Sequence, residues 1–105
     1  MVIGTIRKQP FEELDRFVDF SNDLPDSNLA SIVGVTAIKK SDGTDATSAV
    51  IETISPAPFI PPGTKKVQFR VKDGIDGEIY KITVKASGSG GQKLEADVWL
   101  NVKEE

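Results

Sequence analysis

"DGIDGEIYKITVKASGSGGQKLEADVWLNV", Asp73 to Val102, decides how the rest of the chain is read. Tyr80, Ile82, Val84 and Ala86 alternate with Ile79, Lys81, Thr83 and Lys85. After "SGSGGQ", Leu94, Ala96, Val98, Leu100 and Val102 alternate with Glu95, Asp97, Trp99, Asn101 and Lys103. A period of two sends one set of side chains into a core and the other to solvent, which a helix cannot do with this spacing. The glycines between the two runs permit the positive φ of a hairpin turn. The spacing predicts an antiparallel hairpin of Glu78–Ala86 and Gln92–Lys103.

Working outward, Val67, Phe69 and Val71 alternate with Gln68, Arg70 and Lys72 and predict another strand. Leu29–Lys39 is rich in β-branched residues, but Ile32, Val33 and Val35 cannot share a face, which points to a bulge. Thr47–Ile54 reads as a short strand, and Val2–Ile6 as a short edge strand. Pro10–Phe20 fits two periods. Phe11, Leu14 and Val18 have helical spacing behind a first-turn proline, whereas Leu14, Arg16, Val18 and Phe20 fit a strand. The strand-forming "RFVDF" favours the strand. "SNDLPDSN" (Ser21–Asn28) and "SPAPFIPPG" (Ser55–Gly63) are irregular. The second holds four of the six prolines, which excludes a central strand.

About seven strands separated by frequent turns predict an all-β antiparallel sandwich or barrel, in one domain over residues 1–105, and the run "DGEIYKITVKA" favours the sandwich. Tyr80 is the only tyrosine. It stands on inward parity at the start of the penultimate strand, just after a glycine turn. That is the position of the tyrosine corner in immunoglobulin-like domains, where the hydroxyl bonds back to the backbone. The other reading is an ordinary half-buried tyrosine.

Composition narrows the function classes. The chain has 105 residues, 38% apolar and 28% charged, as expected of a soluble globular domain. Thirteen Lys and Arg against sixteen Asp and Glu give a net charge of −3, without the basic footprint that nucleic-acid binding needs. Lys39-Lys40 and Lys65-Lys66 read as solvated strand ends. No apolar run approaches a membrane span, and "MVIGTIRKQPFEEL" lacks the form of a secretory signal. Partners among nucleic acids and membranes are therefore not expected.

With no His and no Cys, His-based triads, thiol chemistry and His-ligated zinc are excluded. "SGSGGQ" lacks the Gly-Lys-Ser/Thr ending of a phosphate loop and leads into a strand. "SDGTDAT" (Asp42, Asp45) and "KDGIDGE" (Asp73, Asp76, Glu78) do not match the spacing of the twelve-residue calcium loop, and aspartate beside glycine is ordinary turn chemistry. No enzyme, no metal and no cofactor are expected. Recognition has better candidates. Trp99, the only tryptophan, falls on outward parity, either as a docking anchor or as cover for the sandwich edge or the N-terminal strand. Phe59 and Ile60, held extended by prolines, form either an exposed apolar tip or a plug for the open end of the sandwich.

"FVDFSNDL", a Leu-Ala-Ser-Ile strand, "DGTDAT", "VQFRVKDGIDGEIYKITVKA", a glycine turn and "LEADVWLNV" together run from Pro10 to Val102. This series resembles small tailed-phage and prophage structural proteins, the fibre–tail adaptor or head–tail region proteins. The Asp-Phe-Ser step and the Gly-x-x-Gly-x-x-Tyr-x-apolar step, Gly74 to Ile82, carry the resemblance. The second aromatic typical of that family soon after Asp-Phe-Ser is Leu24 here. The resemblance implies an immunoglobulin-like domain without enzymatic activity. It would be made in the bacterial host cytoplasm and serve as a connector in a virion or prophage-derived particle. Its implied partners are other phage structural proteins of the tail or head–tail region, and copies of itself in the particle. Loop tips around Phe59 and Ile60, with Trp99, would form the interface. The alternative is an immunoglobulin-like binding or adhesion module of a bacterial surface assembly.

Overall fold

Six strands build two facing sheets in the computed structural model, which describes residues 2–105 and, of Val2, the backbone alone. They are β1 (Val2–Lys8), β2 (Leu14–Asp19), β3 (Leu29–Lys39), β4 (Lys66–Val71), β5 (Ile79–Gly88) and β6 (Lys93–Val102). One sheet runs β1-β6-β5-β3 and the other pairs β2 with β4. β5 and β6 form the expected antiparallel hairpin, with Tyr80 opposite Leu100 and Lys81 opposite Trp99. Strict alternation does the sorting. β4 and β5 bury every second side chain, and the inward sets of both sheets meet in one core that includes Phe20, Leu24, Val67, Phe69, Tyr80, Ile82 and Leu100.

Three expectations need correction. Thr47–Ile54 is not a strand. Thr47–Val50 forms a single helical turn (α1), and only Ile51 bridges to Val71. The cause is local. The Asp45 carboxylate accepts from the Thr47 N–H and hydroxyl at 3.2 and 2.7 Å, while the Thr47 hydroxyl oxygen takes the Ala37 N–H at 3.0 Å. These side-chain bonds hold the chain in a turn and still bury Val50 and Ile51. Among the described residues the strands number six, against the expectation of about seven. Nor is the pairing antiparallel throughout, because β1 lies parallel to β6.

The ambiguous Pro10–Phe20 segment resolves as strand β2 after a turn at Pro10 and Phe11. The bulge expected in β3 is present, with register shifts between Leu29 and Ser31 and between Ile32 and Gly34. Leu24 is fully buried and belongs to the core.

Two polar side chains are also buried. Lys8 donates to the carbonyls of Gln9 (2.7 Å), Pro10 (3.3 Å) and Asp73, tying the end of β1 to the turn before β5. Burial pulls its ammonium below the ordinary lysine value, against the opposing pull of Asp73, Glu12 and Glu13. Asp97 stands on outward parity yet is covered. It accepts from the Thr83 hydroxyl at 2.8 Å and lies 3.6 Å from Lys81.

Candidate interaction face on the small sheet

The outer face of the β2/β4 sheet follows from register. Phe17 lies opposite Gln68, and on the other side Gln68 exchanges both backbone bonds with Phe59, at 2.8 and 3.0 Å. Phe17, Gln68 and Phe59 therefore form one row across the sheet, all on outward parity. Phe17 is 54% exposed and Phe59 is 40% exposed. Lys66 Nζ sits 4.3 Å above the Phe17 ring, a cation–π contact that holds the ring without covering it.

Charged rows flank the aromatic one. On one side Asp15 meets Arg70 through Nε at 2.8 Å and Nη2 at 3.3 Å, and Glu52 lies 3.7 Å from Lys72. On the other, Asp19 stands opposite Lys66 and accepts from the Ser21 N–H and hydroxyl. The bond to Arg70 holds the Asp15 carboxyl below the usual carboxylate range, and the bonds to Ser21 do the same for Asp19. An aromatic row with ion pairs on one side and Asp19 and Lys66 on the other is suited to protein contact: covering the exposed half of each ring contributes roughly 1 kcal/mol apiece, and the charges set orientation.

The residues singled out in the sequence do not converge. Phe59 joins this face through its pairing with Gln68, and Ile60 beside it is half-buried. Trp99 lies on the outer face of the other sheet, partly covered, with Lys40 Nζ 5.4 Å from its ring and Thr5 opposite it on β1. Phe59 and Trp99 thus belong to opposite sides of the molecule. Tyr80 is fully buried, and its hydroxyl oxygen takes the Ile75 N–H at 3.0 Å. Phe17 was missed as a site residue, although the parity that turns Leu14, Arg16 and Val18 one way turns Phe17 the other. Phe11, at the tip of the β1–β2 loop and almost wholly exposed, carried no such signal.

The carboxylates of the first acidic turn hold their own backbone, and Asp76 of the second ties down the C-terminal segment. Asp42 accepts from the Thr44 N–H at 2.9 Å, Asp45 from Thr47, and Asp76 from the Glu104 N–H at 2.9 Å. Among the described residues no three acidic side chains converge as a metal site would require, and no helix is long and apolar enough to cross a membrane. The sequence matches no family model and no curated protein.

Proposed function

We propose that the chain is an immunoglobulin-like sandwich acting as a non-enzymatic connector through protein–protein contact, in a phage or prophage-derived particle at the tail or head–tail region. Two observations support the finer fold. The strand order β1-β6-β5-β3 facing β2-β4, with β1 parallel to β6, agrees with an immunoglobulin-like arrangement. So does the bond from the Ile75 N–H to the Tyr80 hydroxyl at the corner before β5. The placement in a particle rests on the resemblance of the Asp-Phe-Ser and Gly74–Ile82 steps to tail and head–tail proteins.

The observation that carries the connector role is the row Phe17–Gln68–Phe59, two half-exposed aromatic rings in register on a rigid sheet. Hydrophobic area of this kind on a fixed scaffold gains free energy when another protein covers it. The test is light scattering of the purified chain mixed with tail and head–tail proteins of the same particle. The parent should form a complex whose mass is the sum of its parts. Phe59→Ala should lose that complex while melting within a few degrees of the parent. Undiminished binding by Phe59→Ala would reject this face, and failure of the parent to bind any of these proteins would reject the connector.

A further inference from the structure

We propose that the free edge of β2 takes up one extended segment of a second protein, a strand carrying Lys or Arg two residues before and two residues after an apolar residue. The proposal rests on the connector reading for the existence of a partner and adds the mode of contact. Among the described residues β2 pairs with β4 alone. Because Gln68 turns both its backbone groups to Phe59, its opposite number Phe17 turns its own N–H and C=O away from β4, to the open side. Asp15 and Asp19 share that phase. The Asp15 carbonyl shows it, accepting from Arg16 Nη1 at 2.8 Å for want of a strand. The edge therefore presents a ladder centred on Phe17 that no neighbouring strand fills, with the Asp15 carbonyl held by a solvent-exposed arginine that an incoming strand could displace.

What lies beneath the edge sets the size of the incoming side chain. β1 and β2 border the same side of the sandwich without pairing. Between them opens a cavity of about 180 Å³ lined by Ile3, Gly4, Thr5 and Ile6 of β1, Arg16 and Phe17 of β2, and Val98. Gly4 contributes no side chain, and a Cβ built on it meets nothing within 4 Å. An added strand would point one apolar residue into this space and the next outward beside Phe17.

Charge selects the occupant. The outward lane of the edge reads Glu13, Asp15, Phe17, Asp19. Cations flanking an apolar residue on the new strand extend the alternation that Arg70 and Lys66 begin on the inner side. A second copy fits worse: antiparallel pairing of β2 with β2 centred on Phe17 places Asp15 opposite Asp19 twice, and like charges directly across a ladder repel.

The probe is the peptide acetyl-Thr-Lys-Val-Ile-Val-Lys-Thr-amide, titrated into the 15N-labelled chain. The Asp15, Phe17 and Asp19 amides should shift saturably, and the Phe17 amide should exchange more slowly. Glutamate in place of both lysines should weaken binding about tenfold. Gly4→Ile adds a side chain at the β1 wall of the cavity, where a Cβ would meet nothing within 4 Å; it should keep the fold and abolish the shifts. No shift up to about 1 mM peptide, equal binding by Gly4→Ile, or shifts confined to β1 or β3 would overturn the proposal. Shifts of Asp15–Asp19 that follow protein concentration without peptide would overturn it in favour of a second copy. If Gly4→Ile still forms the complex with a tail or head–tail protein, the connector stands and the strand-addition mode falls.

Discussion

Replacing Tyr80 by Phe removes one oxygen from the interior and nothing else. The ring is 1% exposed and packs in the core, so its apolar contacts survive the change. What is lost is the acceptor for the Ile75 N–H, held at 3.0 Å. A hydrogen bond contributes about 0.5–1.5 kcal/mol net, and a donor left without a partner costs about 1–3 kcal/mol when water cannot replace it. Ile75 is 55% exposed, so water reaches its amide in part, and the loss should fall near 1.5 kcal/mol. For a chain of this size that corresponds to a drop in melting temperature of about 6–12 °C. Urea denaturation should show a lower midpoint at an unchanged slope, because the surface exposed on unfolding is the same. Amide exchange provides the sharper measurement. The Ile75 amide should lose its protection in Tyr80→Phe while the amides of β5 and β6 keep theirs relative to global stability. A variant that melts within about 1 °C of the parent, with Ile75 still protected, would show that the hydroxyl does not anchor the corner.

Gly74→Ala should cost about 2–4 kcal/mol by thermal melting, since Gly74 has φ +92° and a Cβ there would lie 2.7 Å from Cγ2 of the buried Val102; a loss below about 1 kcal/mol would mean that Val102 has room to move. Phe17→Ala should leave the melting temperature within a few degrees because its ring is more than half exposed, and a large drop would place the ring in the core. Lys8→Met should destabilise by about 1–3 kcal/mol, the three carbonyls losing their donor while the apolar stem is kept; equal stability in urea would show that the cost of burying the ammonium cancels its bonds. Bonds to Arg70, Ser21, Thr44, Thr47 and the Ile54 N–H hold Asp15, Asp19, Asp42, Asp45 and Glu52 below the usual carboxylate range. In that acid window the unfolded chain binds more protons than the folded one, so stability should be constant above about pH 5 and fall as pH drops through the lowered values. Urea midpoints that do not change between neutral and acid pH would contradict the folded-state bonding of these carboxylates.

The strands were legible wherever both faces of the alternation had distinct chemistry. β4, β5 and β6 carry mostly Val, Ile, Phe and Leu on one parity and mostly charged or polar residues on the other, so their buried sets could be read directly, and the glycine turn between β5 and β6 gave the pairing of those two; the partner of β4, which is β2, could not be read. Thr47–Ile54 misled because Thr, Val and Ile favour strands by propensity, whereas the Asp45 carboxylate and the Thr47 hydroxyl impose a turn through bonds to specific backbone groups. Those bonds depend on Ala37, ten residues away, and no local pattern reports them. The parallel docking of β1 on β6 was equally invisible, since a period of two fixes the buried face and not the direction of the neighbour. Asp97 reads as solvent-facing by parity, yet it is buried, between Thr83 and Lys81 on β5 and the backbone of β1 on its other side. For the candidate face, Phe59 was found through its prolines. Phe17 could have been found by parity alone, but its alignment with Phe59 depends on Gln68 bridging the two, a long-range register.

The two kinds of residue answer different questions, and their separation makes the functional reading testable. Tyr80, Gly74 and Lys8 face inward or hold turns, so their changes should act on stability and leave any binding face intact. Phe17, Phe59 and Gly4 border solvent, where removing or adding a side chain disturbs little packing. If one surface serves both roles, the two sets of effects will couple, because residues in contact share their free energy; if the scaffold is rigid and the site is laid upon it, they will add. Combining Phe59→Ala with Tyr80→Phe therefore separates the cases. Phe59 is joined to β4 through its backbone pairing with Gln68, and Tyr80 bonds at the corner before β5. A melting temperature below that of Tyr80→Phe by no more than Phe59→Ala costs on its own, with complex formation no weaker than that of Phe59→Ala alone, is what a face resting on an independent core requires. A combined loss well beyond both would mean that the aromatic row helps to hold the sandwich closed, and that its exposure reflects folding and not recognition.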